Sequence, residues 1–100
     1  MIRKRWTISD EYKDSMIKKL LKNLPSLRAR IGISQEEFAN VIGTSRQTYY
    51  SVETGKREMS WTSYLAIIYF YDSIPETSEM VRQLHLFPED FIKNLHEETV

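Results

Sequence analysis

The chain has 100 residues, enough for one small domain with its own core. It contains no Cys, which excludes a disulfide framework and any thiolate metal site. The formal charges cancel, but unevenly: residues 1–71 hold 12 Lys and Arg against 7 Asp and Glu, and residues 72–100 hold 2 against 7, so a polyanion would meet the first two thirds.

Gly and Pro are scarce and the apolar residues recur at helical spacing nearly throughout. The start is basic at Arg3, Lys4 and Arg5 and has no apolar signal core behind it; it reads as a frayed terminus in preference to an arm laid on DNA. From Asp10 to Asn23, Met16, Ile17, Leu20 and Leu21 mark one helix face. Pro25 then starts a new helix or kinks the first, because it cannot donate to the preceding turn. Leu24, Leu27 and Ile31 carry the face on to Gly32, a C-terminal cap.

Ser34-Gln35-Glu36-Glu37 has the form of a capping box, and a short helix is expected from there to about Ile42, with Phe38, Ala39 and Ile42 inward. Gly43 and Thr44 turn the chain, and Ser45 caps the next helix, Arg46 to about Thr54. After a break at Gly55-Lys56-Arg57, Ser60 caps a fourth helix from Trp61 to Tyr71. That helix is apolar all round, which predicts cover on both sides, from this chain or a second copy of it. Pro75 and Pro88 each fit the first turn of a further helix, with Glu76, Glu79, Glu89 and Asp90 near the positive ends. Met80, Val81 and Leu84, then Phe91, Ile92 and Leu95, supply their apolar faces. The longest apolar stretch, Tyr64 to Tyr71, is about half a membrane span, and the expectation is a soluble, cytoplasmic protein with no membrane partner.

Two short helices joined by about three residues cross steeply and bring their backbones close. Ala39 is small where such a crossing needs it, and Gly43 tolerates a positive φ in the turn. On the second of these helices Tyr49 and Val52 point one way, to the core. Gln47, Tyr50, Ser51 and Thr54 point roughly the other way, with Arg46 at the leading end. A helix anchored on one side and polar on the other suits the DNA major groove, where Gln pairs with adenine and Arg with guanine through two bonds each.

On these residues Leu24 to Tyr71 resembles the helix-turn-helix domain of the phage repressor and Cro-like (XRE) family, through "LRARIG", "SQEEFA", "IGTS" and "VETGKR". The resemblance covers about half of the chain. It departs at Tyr49, where Ile or Val is usual, and at Thr54, where Asn is common. It implies an all-α, lambda-repressor-like bundle of five or six helices, with additional N- and C-terminal helices. It divides the chain into 1–23 (basic arm and first helix), 24–71 (helix-turn-helix domain) and 72–100 (acidic helical extension). It further implies sequence-specific binding of double-stranded DNA by a transcriptional regulator, a repressor acting as a homodimer. Gln35 would hold a phosphate. Arg46, Gln47 and Tyr50 would reach base edges. Ser45 and Ser51 join the DNA-facing set, and Thr54, Lys56 and Arg57 would grip the backbone. Arg28 would pair with Glu53, tying the first helix to the recognition helix.

Residues 72–100 have three open roles: they roof the fourth helix, form the dimer seam, or hold another protein, as in antitoxins that bind DNA and a partner. Catalysis is not expected, since no nucleophile–base set or phosphate-cradling Gly loop is present, and the Glu36-Glu37 and Glu89-Asp90 pairs fall at helix starts. His85 and His96 lack companions at metal-ligand spacing, so neither metal nor cofactor is implied.

Overall fold

The computed structural model describes residues 6–87, and the regular elements there are five α-helices. The first, α1 (Asp10–Ile31), opens where the Ser9 side chain accepts the Tyr12 backbone N–H at 3.1 Å. Asp10 and Glu11 stand at its positive end and Arg28 and Arg30 at its negative end, both favourable against the helix dipole. Met16, Leu20, Leu24 and Leu27 form its buried stripe. Pro25 does not start a new helix. α1 passes through it and stops at Gly32, whose φ is 69°. Proline removes one ladder bond and crowds the turn before it. Here Leu24 and Leu27 flank it with full burial, at about 1.5–3 kcal/mol each, and Pro25 lies on the exposed side.

The short helices α2 (Gln35–Ile42) and α3 (Arg46–Glu53) follow with the expected caps. Ser34 accepts the Glu37 N–H at 3.0 Å while the Glu37 carboxylate accepts the Ser34 N–H at 2.9 Å, a closed capping box. The Ser34 N–H, with the Ser34 hydroxyl second, holds the Glu37 carboxyl below the usual carboxylate range. Ala39 is 1% exposed at the α2–α3 crossing. Gly43 has φ 80°, yet a side-chain carbon there would meet nothing within 4 Å. Ala39 therefore provides room and Gly43 provides only backbone conformation.

α4 (Trp61–Ser73) is capped by Ser60, and α5 (Pro75–Gln83) begins with Pro75 in its first turn. The Phe38 ring binds three helices together, with ring centres 5.1 Å from Tyr49, 5.1 Å from Phe70 and 5.2 Å from Tyr71. α5 buries Thr77 and Val81, and the Thr77 hydroxyl donates to the Tyr71 carbonyl at 2.7 Å. The Tyr64 hydroxyl donates to the Leu86 carbonyl at 2.7 Å and fastens the chain beyond α5.

The expectation that α4 is covered on both sides, by this chain or a second copy, is met by the described residues of this chain on only part of its surface. Tyr64, Ile67, Ile68 and Tyr71 are buried, but Ala66 is exposed and Tyr69 is 77% exposed. α1, α2 and α5 pack around α4; Ala66 lines a small cleft with Ile42 of α2 and Tyr49 and Val52 of α3, while Tyr69 faces away from the described helices. α1 also runs continuously across the expected boundary between residues 23 and 24. The helix expected after Pro88, with Phe91, Ile92, Leu95 and His96, lies outside the described residues, as do Arg3, Lys4 and Arg5.

Candidate nucleic-acid interface

α3 sits on the domain through Tyr49, which is 1% exposed, and through half-buried Val52. That anchorage turns Arg46, Gln47 and Tyr50 outward, all three exposed, Tyr50 by 45%. The first turn of α3 holds no acidic residue, so its positive end is not neutralised locally. Glu53 is the helix's one carboxylate, and it points inward with its side chain 4% exposed. The outward side of α3 is thus amide, phenol, hydroxyl and cation.

Ser45 holds the start of this helix. Its Oγ accepts the Thr48 N–H at 3.1 Å and donates to Thr48 Oγ1 at 2.9 Å. The loop after α3 folds back over it: the Lys56 and Arg57 N–H groups both donate to the Ser51 carbonyl, at 2.9 and 3.0 Å. Arg57 Nη1 reaches Thr48 Oγ1 at 3.5 Å, and Lys56 Nζ lies 5.8 Å from the centre of the Tyr50 ring. Gln47, Thr48, Ser51, Lys56 and Arg57 consequently line one shallow polar depression. Thr48 was missed from the sequence. Its signal was there in the Ser45-x-x-Thr48 spacing of a capped helix start.

Two residues are engaged differently from expectation. The Thr54 hydroxyl donates to the Tyr50 carbonyl at 2.8 Å, which closes the last turn of α3, so in the free chain its proton is not offered outward. Gln35 is half-buried, and its Nε2 donates to Glu53 Oε2 at 3.1 Å. Of the N–H groups at the start of α2, that of Glu37 is already taken by Ser34, and Glu36 and Glu37 add negative charge there.

Arg28 Nη2 lies 2.9 Å and Nε 3.2 Å from Glu53 Oε1. A third donor atom, Nη1, points at the Ile33 carbonyl at 3.5 Å, reaching the α1–α2 connection. Burial works to lower the Arg28 pKa, but its bond to Glu53 and the carboxylate charge outweigh burial and raise it. The pair joins α1 to α3, with Gln35 of α2 as third member.

Among the described residues no three or more His, Cys, Asp or Glu converge as a metal would require, and no helix is long and apolar enough to cross a membrane. Residues 26–60 match the family model of the helix-turn-helix. No curated protein and no solved structure matches the chain. The matched segment runs from the end of α1 to the start of α4 and contains the whole of α2, the Gly43 turn and α3. With Ala39 at the crossing, Tyr49 inside and Arg46 and Gln47 outside, residues 26–60 are a DNA-binding helix-turn-helix domain of the phage repressor/Cro-like (XRE) family.

Proposed function

We propose that the chain regulates transcription as a repressor, reading a duplex site as a homodimer. Arg46 and Gln47 enter the major groove from the first turn of α3 and bond base edges, with Tyr50 beside them against a base or thymine methyl. Gln35, Ser45, Ser51, Lys56 and Arg57 hold the flanking phosphates and set the register. Thr54 stays with its own helix. The observation that carries this reading is the exposure of Gln47 opposite buried Tyr49, with Arg46 exposed at the leading end, on a helix with no outward carboxylate.

One domain covers few base pairs, so a dimer would read half-sites about 34 Å apart. The exposed sector of α4 around Tyr69 is the surface for that contact. Occupying a promoter in this way would exclude polymerase, in the cytoplasm. The same sector also serves the second reading, an antitoxin-type protein that holds DNA and a protein partner with help from residues 72–100.

Selection of bound sites from a random duplex pool tests the proposal. A palindromic consensus is the expected result, with affinity falling at a log–log salt slope of about −0.9 per phosphate held. No retention of any duplex at low ionic strength would overturn it. Co-purification with a second polypeptide, and no homodimer in light scattering, would favour the antitoxin reading.

A further inference from the structure

Three helices meet at the Glu53 carboxylate. Oε1 accepts from two nitrogens of Arg28 and Oε2 from Gln35 Nε2. Two phenols, Tyr49 and Tyr71, complete the cluster, and their hydroxyls are buried with no hydrogen-bond partner among the described residues. Tyr49 stands one helical turn before Glu53 on α3, so the two side chains share a face. Burial raises the Tyr49 phenol well above its usual range, and the charge and hydrogen-bonding reach of Glu53 add to that, although no well-formed bond joins the two in the free chain. Burial likewise raises Tyr71, which feels Arg28 and Glu53 only through their charges.

A buried hydroxyl without a partner is unfavourable, and Phe would fill the same space without it. The Tyr49 hydroxyl therefore calls for a state in which it is bonded. DNA binding would create one. A phosphate at the start of α2 offers the Gln35 amide a second charged acceptor besides the Glu53 carboxylate it bonds in the free chain. Turning Gln35 outward strips Glu53 Oε2 of its donor, and the Glu53 side chain is only 4% exposed, so leaving its charge short of a donor is costly.

We propose that Tyr49 is a positioning residue for DNA binding: when Gln35 turns to a phosphate, the Tyr49 hydroxyl donates to the Glu53 oxygen that Gln35 leaves. The carboxylate then keeps its complement of donors and the phenol gains its first. Arg28 remains on Oε1 throughout, so the α1–α3 tie does not move. The inference rests on the reading of Gln35 as a phosphate contact.

The test uses the full chain, a random-sequence duplex at low ionic strength, fluorescence anisotropy for affinity and thermal unfolding for stability. Tyr49→Phe leaves the melting temperature unchanged or higher and weakens duplex binding about tenfold, the scale of one lost bond to a charged group. In a Gln35→Ala background the same substitution has no effect on affinity, because nothing leaves Glu53 on binding. Tyr71→Phe, which removes an equally buried hydroxyl from the same cluster, leaves affinity unchanged. A fall in melting temperature with Tyr49→Phe would mean that its hydroxyl is already bonded in the free chain, and the proposal fails. Equal losses with and without Gln35, or a comparable loss with Tyr71→Phe, overturn it as well. Wild-type chain that holds no duplex removes the DNA reading itself, whereas wild-type binding with an unaffected Tyr49→Phe removes this inference alone.

Discussion

Arg46 and Lys56 are both exposed cations beside α3, and the proposed docking gives them different tasks. Arg46 stands in the first turn, which that docking sets against base edges, and Lys56 lies in the loop over Tyr50. Arg46→Ala or Gln47→Ala is expected to cost about 1–3 kcal/mol at the preferred site and to relax selectivity there, read by competition between specific and random duplex. Lys56→Ala should weaken all sequences alike and reduce the salt slope by about 1. Equal loss on every sequence for Arg46 would assign it to the backbone instead. His85 shows what one residue contributes outside the interface. It closes α5 with φ 56°, a left-handed conformation that glycine adopts more readily, while its N–H donates to the Arg82 carbonyl at 3.1 Å. His85→Gly should stabilise by about 0.5–1 kcal/mol, seen as a higher melting temperature; a lower one would show that the imidazole makes a contact worth more than the strain.

At the scale of elements, the α2–α3 unit depends on two small residues for separate reasons. Ala39→Leu forces side-chain bulk into the crossing and should cost about 1–3 kcal/mol or more, with the duplex affinity falling because α3 is displaced. Gly43→Ala has open space around it, so only the left-handed backbone opposes it, at about 1–2 kcal/mol, with affinity nearly kept. Comparable loss of affinity from both would contradict this division. The capping box of α2 makes stability depend on pH. Glu37 is held below its ordinary value near 4.5 by the Ser34 N–H and hydroxyl, so its contribution is complete above that value and disappears as pH falls through the lower folded value. Glu37→Gln should flatten the acid limb of melting temperature against pH while changing little at pH 7; an unchanged limb would assign acid sensitivity elsewhere.

At the scale of the whole molecule, the charge asymmetry along the chain becomes a spatial one. The cations of the loop after α3 lie with the outward side of that helix, while α5 packs its apolar face onto α1 and α4. The remaining uncovered apolar surface on α4 centres on Tyr69. Tyr69→Lys is expected to shift a dimer toward monomer in light scattering and to remove the preference for two half-sites over one, with half-site contacts intact. A dimer that survives this change places the seam elsewhere.

Local rules alone were sufficient for the caps at Ser34, Ser45 and Ser60, the Gly43 turn, and the split of α3 into buried Tyr49 and exposed Arg46 and Gln47. Each depends on residues within one or two turns, where spacing determines direction. Continuity of α1 through Pro25 did not follow from spacing, because the lost ladder bond is offset by burial against helices far along the chain. Nor did the bareness of Tyr69, since an apolar helix does not say which of its sides a neighbour will reach. The partners of Gln35 and Thr54 were illegible for the same reason: a polar tip bonds whichever acceptor the packing brings nearest. Sequence by itself determined the helices, their caps and the outward set on α3. Only the tertiary structure placed Arg28, Gln35 and Tyr49 around one buried carboxylate, because hydrogen bonds between helices require the crossing angles that the core imposes.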